Sequence, residues 1–129
     1  MPTAKLFRII LTVSSIEEAA TYFSAVLGQS GQRISSGRHY FKCGQCILAC
    51  FDPRAEGDPW DAQPNPDHIY FAVDDLEAYF DRVKAQPKGS ILQGPATQPW
   101  GERSFYCSDP FGNKLCLVDE ATCFTGIPS

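Results

Sequence analysis

The chain has 129 residues, 43% of them hydrophobic and 20% charged, with a formal net charge of −4. That length suits one domain with its own core, and that balance excludes a disordered chain. No basic stripe favours a nucleic-acid partner, and no run approaches the roughly 18 apolar residues that a membrane-spanning helix needs.

In chain order, residues 7–13 (FRIILTV) are apolar and β-branched, and read as a buried strand. Ser14 and Glu17 have the spacing of a capping box, which predicts a helix from there to about Leu27, stopped by Gly28. Ile16, Ala19, Ala20, Phe23 and Leu27 recur at three- and four-residue steps and give that helix one apolar face. Residues 30–52 read as strands. Within them, residues 39–43 and 46–51 flank Gly44-Gln45, a suitable tight turn. His39, near a strand start, is expected at the surface. Residues 53–66 hold four prolines and several polar residues, and read as a long connection.

The pattern then returns. Residues 68–73 (HIYFAV) read as a second apolar strand. Asp74 and Glu77 repeat the capping-box spacing, and Leu76, Tyr79, Phe80 and Val83 supply a second helical face that ends at residues 87–89. Strands are expected at about 91–97, 104–107 and 114–118, with Asp109-Pro110-Phe111-Gly112-Asn113 as the turn between the last two. At an offset of 60, Arg8 falls on His68, Val13 on Val73 and Glu17 on Glu77. This is a module present twice: strand, capped helix, three strands.

Three stretches resemble a known family. They are residues 8–13 with Tyr22-Phe23 and Leu27-Gly28, residues 68–76 (HIYFAVDDL), and residues 99–113, where PWG-x-R is followed by DP-x-GN. Together they are similar to the vicinal-oxygen-chelate superfamily of glyoxalases, bleomycin-resistance proteins and extradiol dioxygenases. The resemblance runs from about residue 7 to residue 120. It implies an α+β fold, two βαβββ modules in tandem whose curved mixed sheet surrounds a cleft. The whole of 1–129 is then one domain, with modules at about 5–53 and 67–120, a linker at 53–66 and a short C-terminal tail.

The resemblance also implies where a metal would sit in metal-dependent members: four positions filled by His, Gln or Glu. On this sequence they fall on Arg8, Ala49, His68 and Cys116. A guanidinium offers no lone pair, and alanine has no donor. A slip of one residue would bring in Cys50 but reverse the strand face. His68 is the one standard ligand, and a thiolate at Cys116 is not what the family uses. Since a site needs about three protein ligands, no metal or other cofactor is expected. The alternative is a divalent metal on His68 and Cys116.

Two readings stand for Arg8: a cleft residue that holds a carboxylate of a ligand, or a structural ion pair with Glu102, Asp119 or Glu120. His68 reads as a cleft-lining or core histidine, or as a hydrogen-bonding contact or general base. Cys43-Gly44-Gln45-Cys46 brackets a turn rather than a helix start, so it reads as small apolar residues in preference to a redox or zinc pair. Cys50, Cys107, Cys116 and Cys123 read as core or surface thiols. Met1 to Phe7 carries no secretory signal, so a cytoplasmic setting with reduced thiols is expected. Trp60, in a polar proline-rich loop, suggests a subunit contact or a lid.

These readings converge on a metal-free protein, similar to the bleomycin-resistance branch, that binds an apolar or aromatic small molecule. Arg8, His68, Tyr70, Trp100, Arg103 and Cys116 are the expected ligand contacts, with no catalytic residue assigned beyond a possible role for His68. A homodimer is what the resemblance implies. The alternatives are a metal-dependent lyase, isomerase or extradiol dioxygenase, and a degenerate domain without ligand.

Overall fold

A computed structural model describes residues 2–126. The chain divides into two units, Met1–Asn65 and Pro66–Ser129. Each unit is a strand, a helix and three strands, so the architecture is α+β with two similar modules.

In the first unit, β1 (Arg8–Thr12) leads into α1 (Ile16–Leu27), followed by β2 (Gln32–Ser35), β3 (Arg38–Cys43) and β4 (Cys46–Phe51). The sheet order is β1-β4-β3-β2, with β1 parallel to β4 and the remaining pairs antiparallel. The helix begins one residue later than its predicted cap. Ser15, not Ser14, is the N-cap, and its side chain accepts the backbone N–H of Glu18. It ends as expected at Gly28, whose φ of 69° places it in the left-handed region that glycine enters without penalty.

Alternation along β1 sends Leu11 and Val13 to the helix side, where both are fully buried with Phe23 and Phe41. The Phe23 and Phe41 rings lie 6.0 Å apart. A side chain of that size contributes about 1.5–3 kcal/mol on full burial.

His39 is a correction. It points to the helix side of β3 and is buried, not at the surface. Its ring lies tilted against Phe41 with centres 5.0 Å apart, Arg33 Nε donates to its Nδ1, and its Nε2 faces the Ser30 carbonyl. A carbonyl accepts only, so the Nε2–H tautomer is required. A histidine beside a strand start gave no sign of which face it would take.

In the second unit, β5 (Ile69–Val73) leads into α2 (Leu76–Lys84), then β6 (Ser90–Thr97), β7 (Arg103–Ser108) and β8 (Lys114–Asp119). The order β5-β8-β7-β6 repeats the first sheet, again with the first and last strands parallel. Here too the cap is one residue later than expected: Asp75 accepts the N–H of Ala78 at 3.1 Å. The helix closes at Ala85, before Pro87. Phe80 of α2 meets the fully buried Phe105 of β7 edge-on at 5.4 Å.

Pro95 lies within β6, which is tolerated because β6 is an edge strand, and its pairing with β7 shifts register on either side of Gln93. A short 3-10 turn at Glu120–Thr122 opens the expected tail. Residues 127–129 lie outside the described residues.

Candidate functional site

In each unit the helix covers one face of the sheet, and the other face carries most of the residues that the sequence singled out. Register fixes which these are. In the first sheet Arg8 stands beside Ile47, and Ile10 beside Ala49, which in turn faces Tyr40. These side chains share the face away from α1. Cys50 pairs with Leu11 and His39 and is buried on the helix side. The open question of register is thereby answered: Ala49, not Cys50, shares the face of Arg8.

Arg8 forms no ion pair among the described residues. Its guanidinium carbon lies 4.8 Å from the Phe7 ring centre and 5.3 Å from that of Tyr40. Two of the three carboxylates weighed as its partners are engaged within the second unit. Glu102 accepts from the Trp100 indole at 2.7 Å and from the Phe124 N–H at 2.8 Å, and Asp119 accepts the Ala121 N–H. The Phe7 and Tyr40 rings beneath Arg8 also line a hollow of about 710 Å³, together with Ile34, Ile47, Lys42, Gln45 and residues 29–32.

In the second sheet Tyr70 pairs with Cys116, and Cys116 with Tyr106. His68 precedes β5 and packs edge-on to Tyr106 at 5.3 Å, with Tyr70 at 6.3 Å. Burial pushes the Cys116 thiol up, while hydrogen bonds from Ser104 and Tyr106 pull the other way. The Tyr106 phenol is also raised, first by burial, then by Cys116 and by its hydrogen bond with Tyr70. Cys116 is therefore a protonated thiol at neutral pH, a weak ligand because metals take the thiolate.

A smaller hollow of about 460 Å³ is lined by Tyr70, Ala72, Trp100, Glu102 and Phe124, among others. Trp100 is 51% exposed and Tyr70 59%.

Of the six expected ligand contacts, His68, Tyr70 and Cys116 come together on one face, and Trp100 joins Tyr70 at the hollow. Arg8 occupies the matching place in the first unit. Arg103 stands apart. It precedes Ser104 on β7, so alternation turns it to the helix side, where it pairs with Glu77 of α2. Sequence reasoning missed Tyr40 and Tyr106. Each sits in the third strand of its module, against a residue at or just before the start of the module's first strand: Arg8 on Tyr40, His68 on Tyr106. The signal was there in the alternation of residues 38–43 and 103–108.

The fold family implies a divalent metal in its metal-dependent members, and the donors present do not suit one. The first sheet offers a guanidinium and a methyl group. The second offers one imidazole and a buried neutral thiol. Among the described residues, no group of three or more His, Cys, Asp or Glu is placed to hold a metal ion. Cys43 and Cys46 face each other across the hairpin turn, and Cys50, Cys107 and Cys116 are buried.

Comparison with known proteins agrees on the fold. The chain is 33% identical over 108 residues to proteins of Mycobacterium bovis and Mycobacterium tuberculosis named as the glyoxylase CFP32. That match takes in 80% of this chain and 39% of theirs, so the chain spans about two-fifths of the length of these relatives.

A lactoylglutathione lyase from Agrobacterium tumefaciens has a similar structure, with a TM-score of 0.72 at 21% identity, covering 96% of this chain and 100% of that one. A protein from the mobile metagenome of V. Pseudocholerae superposes with a TM-score of 0.71 at 26% identity, over 92% and 96% of the two chains. A glyoxalase/bleomycin resistance protein from Albidiferax ferrireducens gives 0.75 at 20% identity, over 88% and 98%. The family profile matches residues 5–117, and the chain belongs to the Glyoxalase/Bleomycin resistance protein/Dioxygenase superfamily.

Proposed function

We propose that this chain is a metal-independent member of the superfamily that binds an apolar or aromatic small molecule on the open faces of its sheets. The observation that carries the reading is the pair of residues at the first sheet's two ligand positions. Arg8 and Ala49 have no lone pair to give, and register fixes them on that face. The aromatic lining of both hollows supports an apolar ligand. A homodimer in the cytoplasm, as in the bleomycin-resistance branch, belongs to the same reading.

The test is thermal unfolding against a panel of apolar and aromatic compounds, with and without chelator. A ligand selective for the folded state raises the melting temperature by mass action. The reading expects a rise that chelator leaves unchanged. A rise abolished by chelator contradicts it.

A second reading, a metal-dependent lyase, isomerase or dioxygenase, is favoured by one observation: His68 and Cys116 share a face of the second sheet. Metal-dependent turnover of a methylglyoxal–glutathione adduct or of a catechol, lost in His68→Ala, would establish it in place of the first.

A further inference from the structure

Arg8 differs from most of the chain's arginines in what holds it. Arg33, Arg38, Arg54 and Arg103 reach carboxylates, respectively Glu17, Glu56, Asp61 and Glu77. Arg8 instead lies over the rings of Phe7 and Tyr40. A ring face takes none of the guanidinium's strong hydrogen bonds, so its N–H groups are left for another acceptor, and a planar oxyanion can take two of them in parallel.

The surroundings add charge of the same sign. Arg8 stands beside Ile47, and Ile47 beside Lys42, so two cations flank one apolar residue across three adjacent strands. The acids of this unit lie elsewhere. Glu17 and Glu18 are on α1, Asp52 is buried, Glu56 is taken by Arg38, and Asp58 and Asp61 follow β4. A chain of net charge −4 thus presents a cationic row beside an apolar hollow.

We propose that the open face of the first sheet takes a carboxylate or sulfonate carried on an aromatic body, the anion on the edge of Arg8 and the aromatic part in the hollow of Phe7, Ile34, Tyr40 and Ile47. This rests on the binding reading above and names its ligand class. Lys42 adds long-range attraction, and Gln45 borders the same hollow with amide donors and acceptors. The nearest acid in sequence, Glu17, is held by Arg33 at 2.7 Å and does not compete for Arg8.

Two fluorescent probes that share a skeleton and differ in charge test it: anilinonaphthalene sulfonate, an anion, and N-phenylnaphthylamine, which is neutral. Binding to wild type, Arg8→Gln and Arg8→Lys is titrated by emission, with the melting temperature of each variant checking that it is folded. The sulfonate is expected to bind wild type about tenfold more tightly than the neutral probe, the scale of a hydrogen bond to a charged group. Arg8→Gln should remove that preference and leave the neutral probe within about twofold of its wild-type affinity. Arg8→Lys should restore part of the preference, since a point charge lacks the planar fork.

Equal affinities in wild type, or an Arg8→Gln effect that falls equally on both probes, would overturn the inference while leaving the binding reading in place. If neither probe binds wild type, the binding reading fails and takes the inference with it.

Discussion

Asp109 shows how one side chain shapes the turn that the sequence marked as Asp-Pro-Phe-Gly-Asn. It is 2% exposed, and its oxygens accept from the N–H groups of Phe111 and Asn113 at 2.9 and 2.8 Å and from the Asn113 amide at 2.9 Å. Burial nevertheless outweighs these bonds and holds the carboxyl above its ordinary value of 3.8. A folded-state value above the unfolded one means that the folded state binds the extra proton, so the stability contributed is full below the unfolded value and is lost as pH rises through the folded one. Asp109→Asn removes that dependence. The destabilisation that it causes, measured by urea unfolding, should shrink from about pH 4 to about pH 7. A gap that widens with pH would contradict the assignment.

At the same scale, Arg8 and His68 were legible because they stand at or just before the first strand of a module and sit at a constant offset. Tyr40 and Tyr106 were not, because the segments between helix and third strand differ in length and break that offset. Arg103 lies on the helix side with Glu77, a placement the motif could not give, because it sets order along the chain but not the face of the strand.

At the scale of elements, what the sequence marked most clearly were the strands, the Gly44-Gln45 turn and the first helix, each carried by a local signal: alternation, a glycine at positive φ, a cap. Both helix starts slipped by one residue, since Ser14-Ser15 and Asp74-Asp75 each offer two adjacent capping side chains. A contact that no local signal announced ties the loop after β4 to the β2–β3 turn. There Glu56 accepts from Ser35 Oγ at 2.9 Å, Ser36 Oγ at 3.1 Å and the Gly37 N–H at 2.9 Å, and pairs with Arg38. Gly37 is required beside it, because a Cβ there would stand 2.6 Å from Glu56 Cγ.

Glu56→Ala strands these donors at the edge of the first sheet. It should cost about 1–3 kcal/mol in urea unfolding and speed hydrogen exchange in β2 ahead of β4, as expected for lost charge-assisted hydrogen bonds. Unchanged exchange in β2 would show that the edge is held by its strand pairing alone.

At the scale of the molecule, the duplicated βαβββ pattern places the chain in its superfamily, and that fold hosts lyases, dioxygenases and binding proteins alike. On the proposed reading they are separated by the side chains on the faces away from the helices, where Arg8 and Ala49 stand in place of metal-binding donors. The measurement that tests this most directly is the metal content of the chain purified without chelator and then challenged with nickel, zinc, manganese and ferrous iron. The account predicts well under one ion per chain, removed by washing. One tightly held ion per chain, lost in His68→Ala, would contradict it and make the metal-dependent enzyme the leading reading.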